Sequence, residues 1–353
     1  MDNPAAWQHG INDIRVGNHA LKTPLGDSDV LVKMKAVGIC GSDVHYLKHG
    51  RIADFVLKEP MVIGHESAGI VEAVGSKIQH LSPGDKVALE PGVPCGCCGH
   101  CRSGYYNLCP LMKFFATPPV HGSLAEHIVH PGDYCYKLPE GMSVEEGAMC
   151  EPLSVGIHAC NQAGLKPGHK VAVLGAGPIG LVTLLVAKAF AAGTVVVTDV
   201  SPQRLEVALS LGADSAVNVS GLSGEAAAAR VREALGGCQP DVTVDCCGFD
   251  SSMNAALHAT KSGGCVCLVG MGQDSLQLPL TAAAAREVTI KGVFRYRNTY
   301  PIAVDLISSG KVNVQPLITH RFDLTSGFDV KTISDAFEVS AKGQDAIKVM
   351  FNL

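Results

Sequence analysis

Residues 171–189 read VAVLGAGPIGLVTLLVAKA, an apolar run that a glycine-rich turn interrupts. Gly175, Gly177 and Gly180 have the spacing G-x-G-x-x-G, after a short β-prone run and before an apolar helical segment. This pattern predicts a strand, a tight turn and a helix whose amino-terminal end can hold a phosphate group. The run is slightly short for a membrane span, and its glycines with Pro178 break it as one helix.

The region around this motif repeats the same alternation of strand and helix. Between about 156 and 290, apolar β runs alternate with Ala- and Leu-rich helical segments: VAVLG, TVVVTD, SAVNV, DVTVDC, GCVCLVG and VTIKGVF. Alternating strands and helices of this kind predict an α/β fold with a doubly wound parallel sheet.

Asp199 gives the glycine motif its context, because it ends the TVVVTD run 19 residues after Gly180. A carboxylate there can accept hydrogen bonds from both ribose hydroxyls and would repel a 2′-phosphate, so NAD is expected rather than NADP. Arg204 is expected to pack on the adenine. The alternative is a doubly wound fold that binds no nucleotide.

A second motif, CGCCGHCRSGYYNLC, occupies residues 95–109. Four of its thiolates can surround one Zn²⁺ and leave no open coordination position, which predicts a structural zinc site. These four are Cys95, Cys98, Cys101 and Cys109. Disulfides or a redox pair are the alternatives, but residues 1–16 show no secretory signal and the lobe is rich in glycine. Cys97 is an additional thiol that leaves the choice of ligands slightly open.

The composition excludes several function classes. With 353 residues, 47 % of them hydrophobic, the chain is long enough for two globular domains. A net charge of −5 argues against nucleic acid and acidic membranes as partners, so we expect neither. Fourteen cysteines without a secretory signal favour a reducing, cytoplasmic location with some thiols held by metal.

The amino-terminal part has a different texture. Short β runs alternate there with Gly, Pro and Asp turns: VLVKMKAVGI (31–40), SAGIVEAVG (67–75), DKVAL (85–89) and AEHIVH (125–130). They predict a small antiparallel, barrel-like domain. We therefore predict a catalytic domain over 1–155, a dinucleotide-binding domain over 156–292, and a return to the first domain over 293–353.

Three segments carry candidate ligands for a second, catalytic metal: GICGSDVHY (38–46), IGHESAGIV (63–71) and MCEPLSVGIHAC (149–160). They offer Cys40, His65, Glu66 and Glu151. One thiolate and one carboxylate neutralise Zn²⁺ and leave a hard, oxygen-rich site. Taken singly, each has a structural explanation, such as an inert buried cysteine or a surface His-Glu turn. Cys150 is an alternative ligand to Glu151. We rank Cys150 lower because adjacent side chains point apart.

Nearly the whole chain resembles the zinc-dependent medium-chain dehydrogenases, and within them the sorbitol (L-iditol 2-) dehydrogenase branch of plant type. The resemblance is carried by GICGSDVHY, GHESAGIVEAVG, KFFATPPVHGSLAEH, EPLSVGIHAC, GAGPIG, PLTAAAAREV, GVFRYRNTYP, PLITHRF and AIKVMFNL. It implies a GroES-like β-rich catalytic domain with a Rossmann domain, and a homotetramer. It also implies oxidation of a polyol such as sorbitol, xylitol or ribitol to the 2-ketose, with hydride transfer to NAD.

The resemblance also assigns roles to residues. The catalytic zinc would be bound by Cys40, His65 and Glu66, with Glu151 reaching it directly or through water. The substrate cleft would be lined by Ser42, Tyr46, Phe114, Glu151, Arg295 and Tyr296. The catalytic candidates are Glu151, Ser42 and His45. The predicted cofactor contacts are Gly175, Gly177, Ile179, Gly180, Asp199, Arg204, Val269, Gly270, Met271, Val293, Phe294 and Arg295.

Several alternatives remain open at this point. Arg295, whose donor fork suits substrate hydroxyls, can instead serve a structural ion pair. His45 can pass a proton outward, contact the cofactor, or simply be a polar wall residue. The same fold can also carry a threonine or simple alcohol dehydrogenase, or a metal-stabilised binding protein without catalysis. The sequence does not rank one polyol above another.

Overall fold

The computed structural model describes residues 2–272, 275–343 and 345–353, and the chain forms two compact units. The first unit contains the chain up to Glu151 together with Tyr300–Ser309 and Val314–Leu353. The second contains Pro152–Thr299 and Gly310–Asn313. This division places 152–155, 293–299 and 310–313 in the second unit, whereas the sequence-based limits place them in the catalytic domain. The difference at 152–155 arises because one helix runs across the limit.

The first unit begins with short strands and few helices, as the alternating β runs predict. Its strands are β1 (Pro4–Gly10), β2 (Asp13–Asn18), β3 (Asp29–Ile39), β4 (Arg51–Ile52), β5 (Phe55–Val56), β6 (Met61–Val62), β7 (Glu66–Val74), β8 (Lys86–Leu89), β9 (Gly92–Val93), β10 (Lys113–Phe114), β11 (His127–Pro131) and β12 (Cys135–Lys137). Its helices are α1 (Gly41–His49), α2 (Gly99–Arg102) and α3 (Val144–Ala148), with 3₁₀ turns at Tyr106–Leu108 and Gly132–Tyr134.

The second unit alternates helices and strands. Its elements are α4 (Cys150–Ala163), β13 (Lys170–Leu174), α5 (Pro178–Ala189), β14 (Thr194–Asp199), α6 (Pro202–Ser210), β15 (Ser215–Asn218), α7 (Gly224–Ala234), β16 (Val242–Asp245), α8 (Asp250–Ala259), β17 (Cys265–Leu268), α9 (Leu280–Ala284) and β18 (Thr289–Gly292). The chain then supplies the first unit with α10 (Tyr300–Ser308), a 3₁₀ turn at Gln315–Leu317, β19 (Ile318–Asp323), α11 (Val330–Lys342) and β20 (Lys348–Asn352).

The main sheet of the first unit has the order β12-β8-β7-β3-β20-β19, with β11 also paired to β3. Its pairs are antiparallel except β19–β20. Burial alternates along most of β3, and the strand becomes buried on both faces at its carboxyl end. That end leads directly into Cys40. The strand therefore places a candidate ligand next to the apolar core of the first unit, which consists of Val, Leu, Ile and Phe side chains.

The sheet of the second unit is parallel, with the order β15-β14-β13-β16-β17-β18. The strand order reverses between β13 and β16, and ligands bind open α/β sheets beyond the carboxyl ends of strands at such a point. Together with the β-rich first unit, this sheet confirms the predicted α/β fold class. No helix among the described residues combines the length and hydropathy that crossing a bilayer requires.

Candidate metal and cofactor sites

Cys40, His65 and Glu66 meet at the junction of β3 and β7. Gly38 lies opposite Glu66 in the antiparallel register, so the residues that follow β3 and precede β7 come together. The candidate ligand atoms of these three side chains all lie within 4.8 Å of one another. His65 and Glu66 are buried and Cys40 is half-buried. A sulfur, a nitrogen and an oxygen donor at this spacing fit a zinc ion.

Asp43 organises this group, and the sequence analysis did not single it out. Its Oδ2 accepts a hydrogen bond from the Cys40 backbone N–H at 2.9 Å, and its Oδ1 lies 3.3 Å from Nδ1 of His65. The carboxylate therefore leaves Nε2 of His65 as the candidate ligand atom. The signal that could have revealed Asp43 is its place three residues after Cys40, the spacing of a capping box at the start of α1.

The charges around His65 favour a cation at this place. Burial alone would lower the pKa of His65, but Asp43 and Cys40 outweigh it and raise that pKa well above its usual value. A divalent metal would profit from the same negative charges that hold the proton on His65.

Lys348 was also missed. It lies on β20, and its Nζ is 2.6 Å from both carboxylate oxygens of Glu66. Burial lowers the pKa of Lys348, whereas Glu66, Cys40 and Glu151 raise it, and the net shift is upward. Lys348 is therefore a buried cation in contact with a predicted metal ligand. Only the pairing of β20 with β3 brings it there.

Glu151 and Cys150 have different surroundings. Glu151 is buried in the first turn of α4, close enough to act on the charge of Lys348, but it lies outside the group within 4.8 Å. Cys150 is fully buried, and its thiol donates to the carbonyl oxygen of Glu146 at 3.7 Å. Burial also raises its pKa, so Cys150 behaves as an interior packing residue.

The other predicted residues of the first unit have different surroundings. The ring of Phe114 lies 5.9 Å from that of His65, which makes Phe114 a wall of the metal group. Tyr46 is buried in α1 and Ser42 is half-buried. His45 is exposed, and its Nδ1 lies 2.7 Å from the carbonyl oxygen of Arg51.

The cysteine lobe also forms a group with metal-binding geometry. The sulfur atoms of Cys95, Cys98, Cys101 and Cys109 lie within 4.8 Å of one another. Backbone N–H groups of Cys97 and Cys98 lower the pKa of Cys95 to about 6, which favours the thiolate that zinc binds. All fourteen cysteines belong to the described residues and are free, so the disulfide alternative finds no bond here.

A buried carboxylate fastens this lobe to the rest of the first unit. Glu90 accepts hydrogen bonds from Tyr106 in the lobe at 2.7 Å and from Tyr136 in β12 at 2.8 Å. Burial raises the pKa of Glu90, and the two hydroxyls oppose that rise. The two phenol hydroxyls therefore satisfy the buried carboxylate and connect the lobe to β12.

The glycine motif forms the expected turn between β13 and α5 in the second unit. A Cβ on Gly180 would collide with the carbonyl oxygen of Gly175, so this close approach of helix and turn requires glycine. Gly177 caps α5, and a Cβ built there meets no atom within 4 Å. The helix amino terminus thus has open space in front of it, which fits a pyrophosphate.

Asp199 has a contact that the sequence analysis did not foresee. Its Oδ2 accepts from the backbone N–H of Ala176 at 2.7 Å, and its Oδ1 accepts from that of Ser201 at 2.9 Å. Asp199 therefore ties the glycine turn to the end of β14. Each carboxylate oxygen has further lone pairs, so the predicted bonds to ribose hydroxyls remain available.

The remaining predicted cofactor residues also belong to the second unit. Val269, Gly270 and Met271 follow β17, and Val293, Phe294 and Arg295 follow β18. Because these strands are parallel, both segments lie at the same carboxyl edge as the glycine turn. Ile179 and Arg204 are half-buried on α5 and α6. The Arg295 guanidinium lies 4.8 Å from the centre of the Phe294 ring, and Tyr296 is buried.

Two family models match the chain. The alcohol dehydrogenase GroES-like domain covers residues 26–140, and the zinc-binding dehydrogenase domain covers residues 178–309. Sorbitol dehydrogenase of Arabidopsis thaliana is 58 % identical, with 100 % of this chain and 96 % of that protein covered. L-Idonate 5-dehydrogenase of Vitis vinifera is 53 % identical, with 100 % and 95 % covered.

A solved structure shares the fold over the full length of both chains. An Escherichia coli alcohol dehydrogenase complexed with its cofactor NADH aligns with a TM-score of 0.89 at 26 % identity, and 100 % of each chain is covered. The resemblance drawn from the sequence motifs is thereby confirmed. The chain belongs to the zinc-dependent medium-chain dehydrogenases, in the branch of the sorbitol dehydrogenases.

Proposed function

We propose that this chain oxidises a secondary hydroxyl of a polyol, such as sorbitol, xylitol or ribitol, to the 2-ketose with NAD and zinc. The observation that carries the proposal is the group Cys40, His65 and Glu66, whose ligand atoms lie within 4.8 Å of one another. It occurs in a chain 58 % identical to a sorbitol dehydrogenase over its whole length.

Zinc would supply a Lewis acid for the alcohol oxygen, and NAD would accept the hydride. The residues of this chain would provide position and charge. Asp43 lies 3.3 Å from Nδ1 of His65, and the ring of Phe114 forms a wall beside it. Glu151 lies outside the first group of ligands, which favours a role through a water molecule. The four-cysteine group would hold the structural zinc ion.

The proton of the alcohol needs a path to solvent. Ser42 is half-buried and His45 is exposed on the same helix, so we assign this path to them. The Nδ1 of His45 faces the Arg51 carbonyl, which leaves Nε2 for exchange with water. We assign Tyr46, Arg295 and Tyr296 to the substrate hydroxyls that do not react.

NAD is the proposed cofactor because Asp199 places a carboxylate at the end of β14. A 2′-phosphate would meet that negative charge, whereas a ribose with two hydroxyls can donate to it. The glycine turn and the residues after β17 and β18 would hold the remainder of the dinucleotide.

A polyhydroxy carboxylate such as L-idonate is the second candidate substrate, since a relative with that name is 53 % identical. The deciding experiment is a panel of sorbitol, xylitol, ribitol, L-idonate and 2-propanol, with NADH absorbance as the readout. We expect the polyols to give the highest kcat/KM. Faster oxidation of L-idonate would transfer the proposal to polyhydroxy acids, and faster oxidation of 2-propanol would favour a simple alcohol dehydrogenase.

We further propose a homotetramer, as the resemblance implies, and a cytoplasmic location, as the cysteine content favours. The edge strand β18 supports self-association, because all four of its residues are exposed and Ile290 is one of them. Edge strands with free backbone groups pair readily with a second chain. The free cysteines fit a reducing compartment. Light scattering on the purified protein and cell fractionation test these two proposals.

A further inference from the structure

Lys348 holds a predicted metal ligand inside the first unit. Its Nζ is 2.6 Å from both oxygens of Glu66 and 3.1 Å from the carbonyl oxygen of Ile39. The side chains of Lys348 and Glu66 are only 2 % and 1 % exposed. A lysine and a carboxylate therefore share a fully buried ion pair beside Cys40 and His65.

The register of three strands builds this ion pair. Gly38 of β3 lies opposite Glu66 of β7 on one side and opposite Met350 of β20 on the other. Opposed residues project to the same face, and so do alternate residues of one strand, which puts Lys348 and Glu66 on one face. A Cβ on Gly38 would collide with Oε2 of Glu66. Glycine at position 38 thus opens the space in which the pair forms.

The charges at this place need a cation other than the metal. Cys40, Glu66 and Glu151 are the acidic groups that act on Lys348. Asp43, 3.3 Å from His65, adds a fourth acidic group that is itself buried, so the acidic groups at this place outnumber the two positive charges of a divalent ion. Lys348 supplies one further positive charge, in direct contact with Glu66. Its own burial is tolerable only because it is paired.

We propose that Lys348 is a positioning residue of the zinc centre, which holds the Glu66 carboxylate and cancels one of the ligand charges. The proposal rests on the proposed function in taking Cys40, His65 and Glu66 as zinc ligands. An ammonium group that shares Glu66 draws part of the carboxylate charge away from the metal. Lys348 therefore weakens the hold on zinc and preserves the ability of the centre to polarise an alcohol oxygen.

The test measures zinc release from the holoenzyme to a chromogenic chelator, without substrate. The variants are Lys348→Met, which keeps most of the chain length without the charge, and Lys348→Arg, which keeps the charge. Zinc of the cysteine lobe is measured in Cys40→Ser and subtracted. We expect Lys348→Met to release the remaining zinc about tenfold more slowly, because a cation near the metal is gone. The same variant should have a lower kcat with sorbitol.

Removing a merely structural lysine would loosen the site and accelerate release. Unchanged or faster release from Lys348→Met would therefore overturn the proposal, as would slow release from Lys348→Arg. A wild type that oxidises none of sorbitol, xylitol and ribitol would refute the proposed function, while the release rates would still decide the role of Lys348.

A second pair of variants covers the case in which Lys348→Met does not fold. Glu66→Gln leaves the ammonium without its carboxylate beside the metal, and the double variant with Lys348→Met removes both charges. Zinc should leave the double variant more slowly than it leaves Glu66→Gln. Equal or faster release from the double variant would overturn the proposal.

Discussion

Replacing Asp43 by Asn tests how the structure prepares His65 for zinc. Asp43 Oδ1 faces Nδ1 of His65 at 3.3 Å, and Oδ2 accepts from the Cys40 N–H at 2.9 Å. An asparagine can keep the bond to Cys40 through its carbonyl oxygen, but its NH₂ group would then donate toward Nδ1. That contact favours the tautomer with the proton on Nε2, the nitrogen that the metal needs.

The expected loss follows from the role of such partners. Mutation of a residue that orients a metal-bound histidine costs about 10–100-fold in metal affinity or activity. This corresponds to about 1.4–2.8 kcal/mol. The Asp43→Asn protein should therefore lose the zinc bound by Cys40, His65 and Glu66 at a chelator concentration about 10–100-fold lower than the wild type requires. Its kcat/KM for sorbitol should fall by a similar factor.

The matched control is Asp13→Asn. Asp13 forms an exposed ion pair with Arg15 at 2.7 Å, so the same chemical change occurs on the surface. It should leave zinc content and kcat/KM unchanged. If Asp43→Asn keeps the zinc affinity and activity of the wild type, Asp43 does not set the tautomer of His65 and the reasoning is refuted.

Three further predictions concern the metals, the cofactor and the substrate. Cys40→Ser should abolish activity and keep the melting temperature, whereas Cys101→Ser should lower the melting temperature. Its control, Cys97→Ser, should lower neither the activity nor the melting temperature. Equal losses of melting temperature in Cys40→Ser and Cys101→Ser would contradict this division. Asp199→Asn should reduce the preference of kcat/KM for NAD over NADP by about tenfold through loss of one charge, and an unchanged ratio would speak against the assignment. Arg295→Ala should cost about 1–3 kcal/mol in kcat/KM for sorbitol and little for 2-propanol, and equal losses would mean that Arg295 supports the cofactor or the fold.

Local patterns explain the predictions that the structure confirms. The β runs quoted from the sequence correspond to β3, β7, β8 and β11 and to the six parallel strands of the second unit. Successive side chains of a strand point to opposite faces. Alternating apolar residues therefore indicate one buried face, and continuous apolar residues indicate two. The grouping of the four cysteines could also be predicted from the sequence, because they lie within fifteen residues of one another and need no long-range contact to meet.

The candidate catalytic metal group could be predicted only in part from the sequence. Cys40, His65 and Glu66 were identified by residue type and by resemblance, but their common position depends on the pairing of β3 with β7. The sequence analysis also did not predict the hydrogen bonds that Asp199 accepts from the backbone N–H groups of Ala176 and Ser201. A carboxylate at a strand end can serve a ligand, a backbone turn or both, and its residue type does not distinguish these roles.

The sequence by itself therefore determined the helices and strands, the glycine turn, the four-cysteine lobe and the types of candidate ligand available, because each depends on spacing over a few residues. The tertiary structure alone decided which polar groups support those ligands. Lys348 is separated from Glu66 by 282 positions in the chain, and only the register of β20, β3 and β7 joins them. Register of that kind is set by long-range burial of the whole sheet, so no local pattern around either residue encodes the contact.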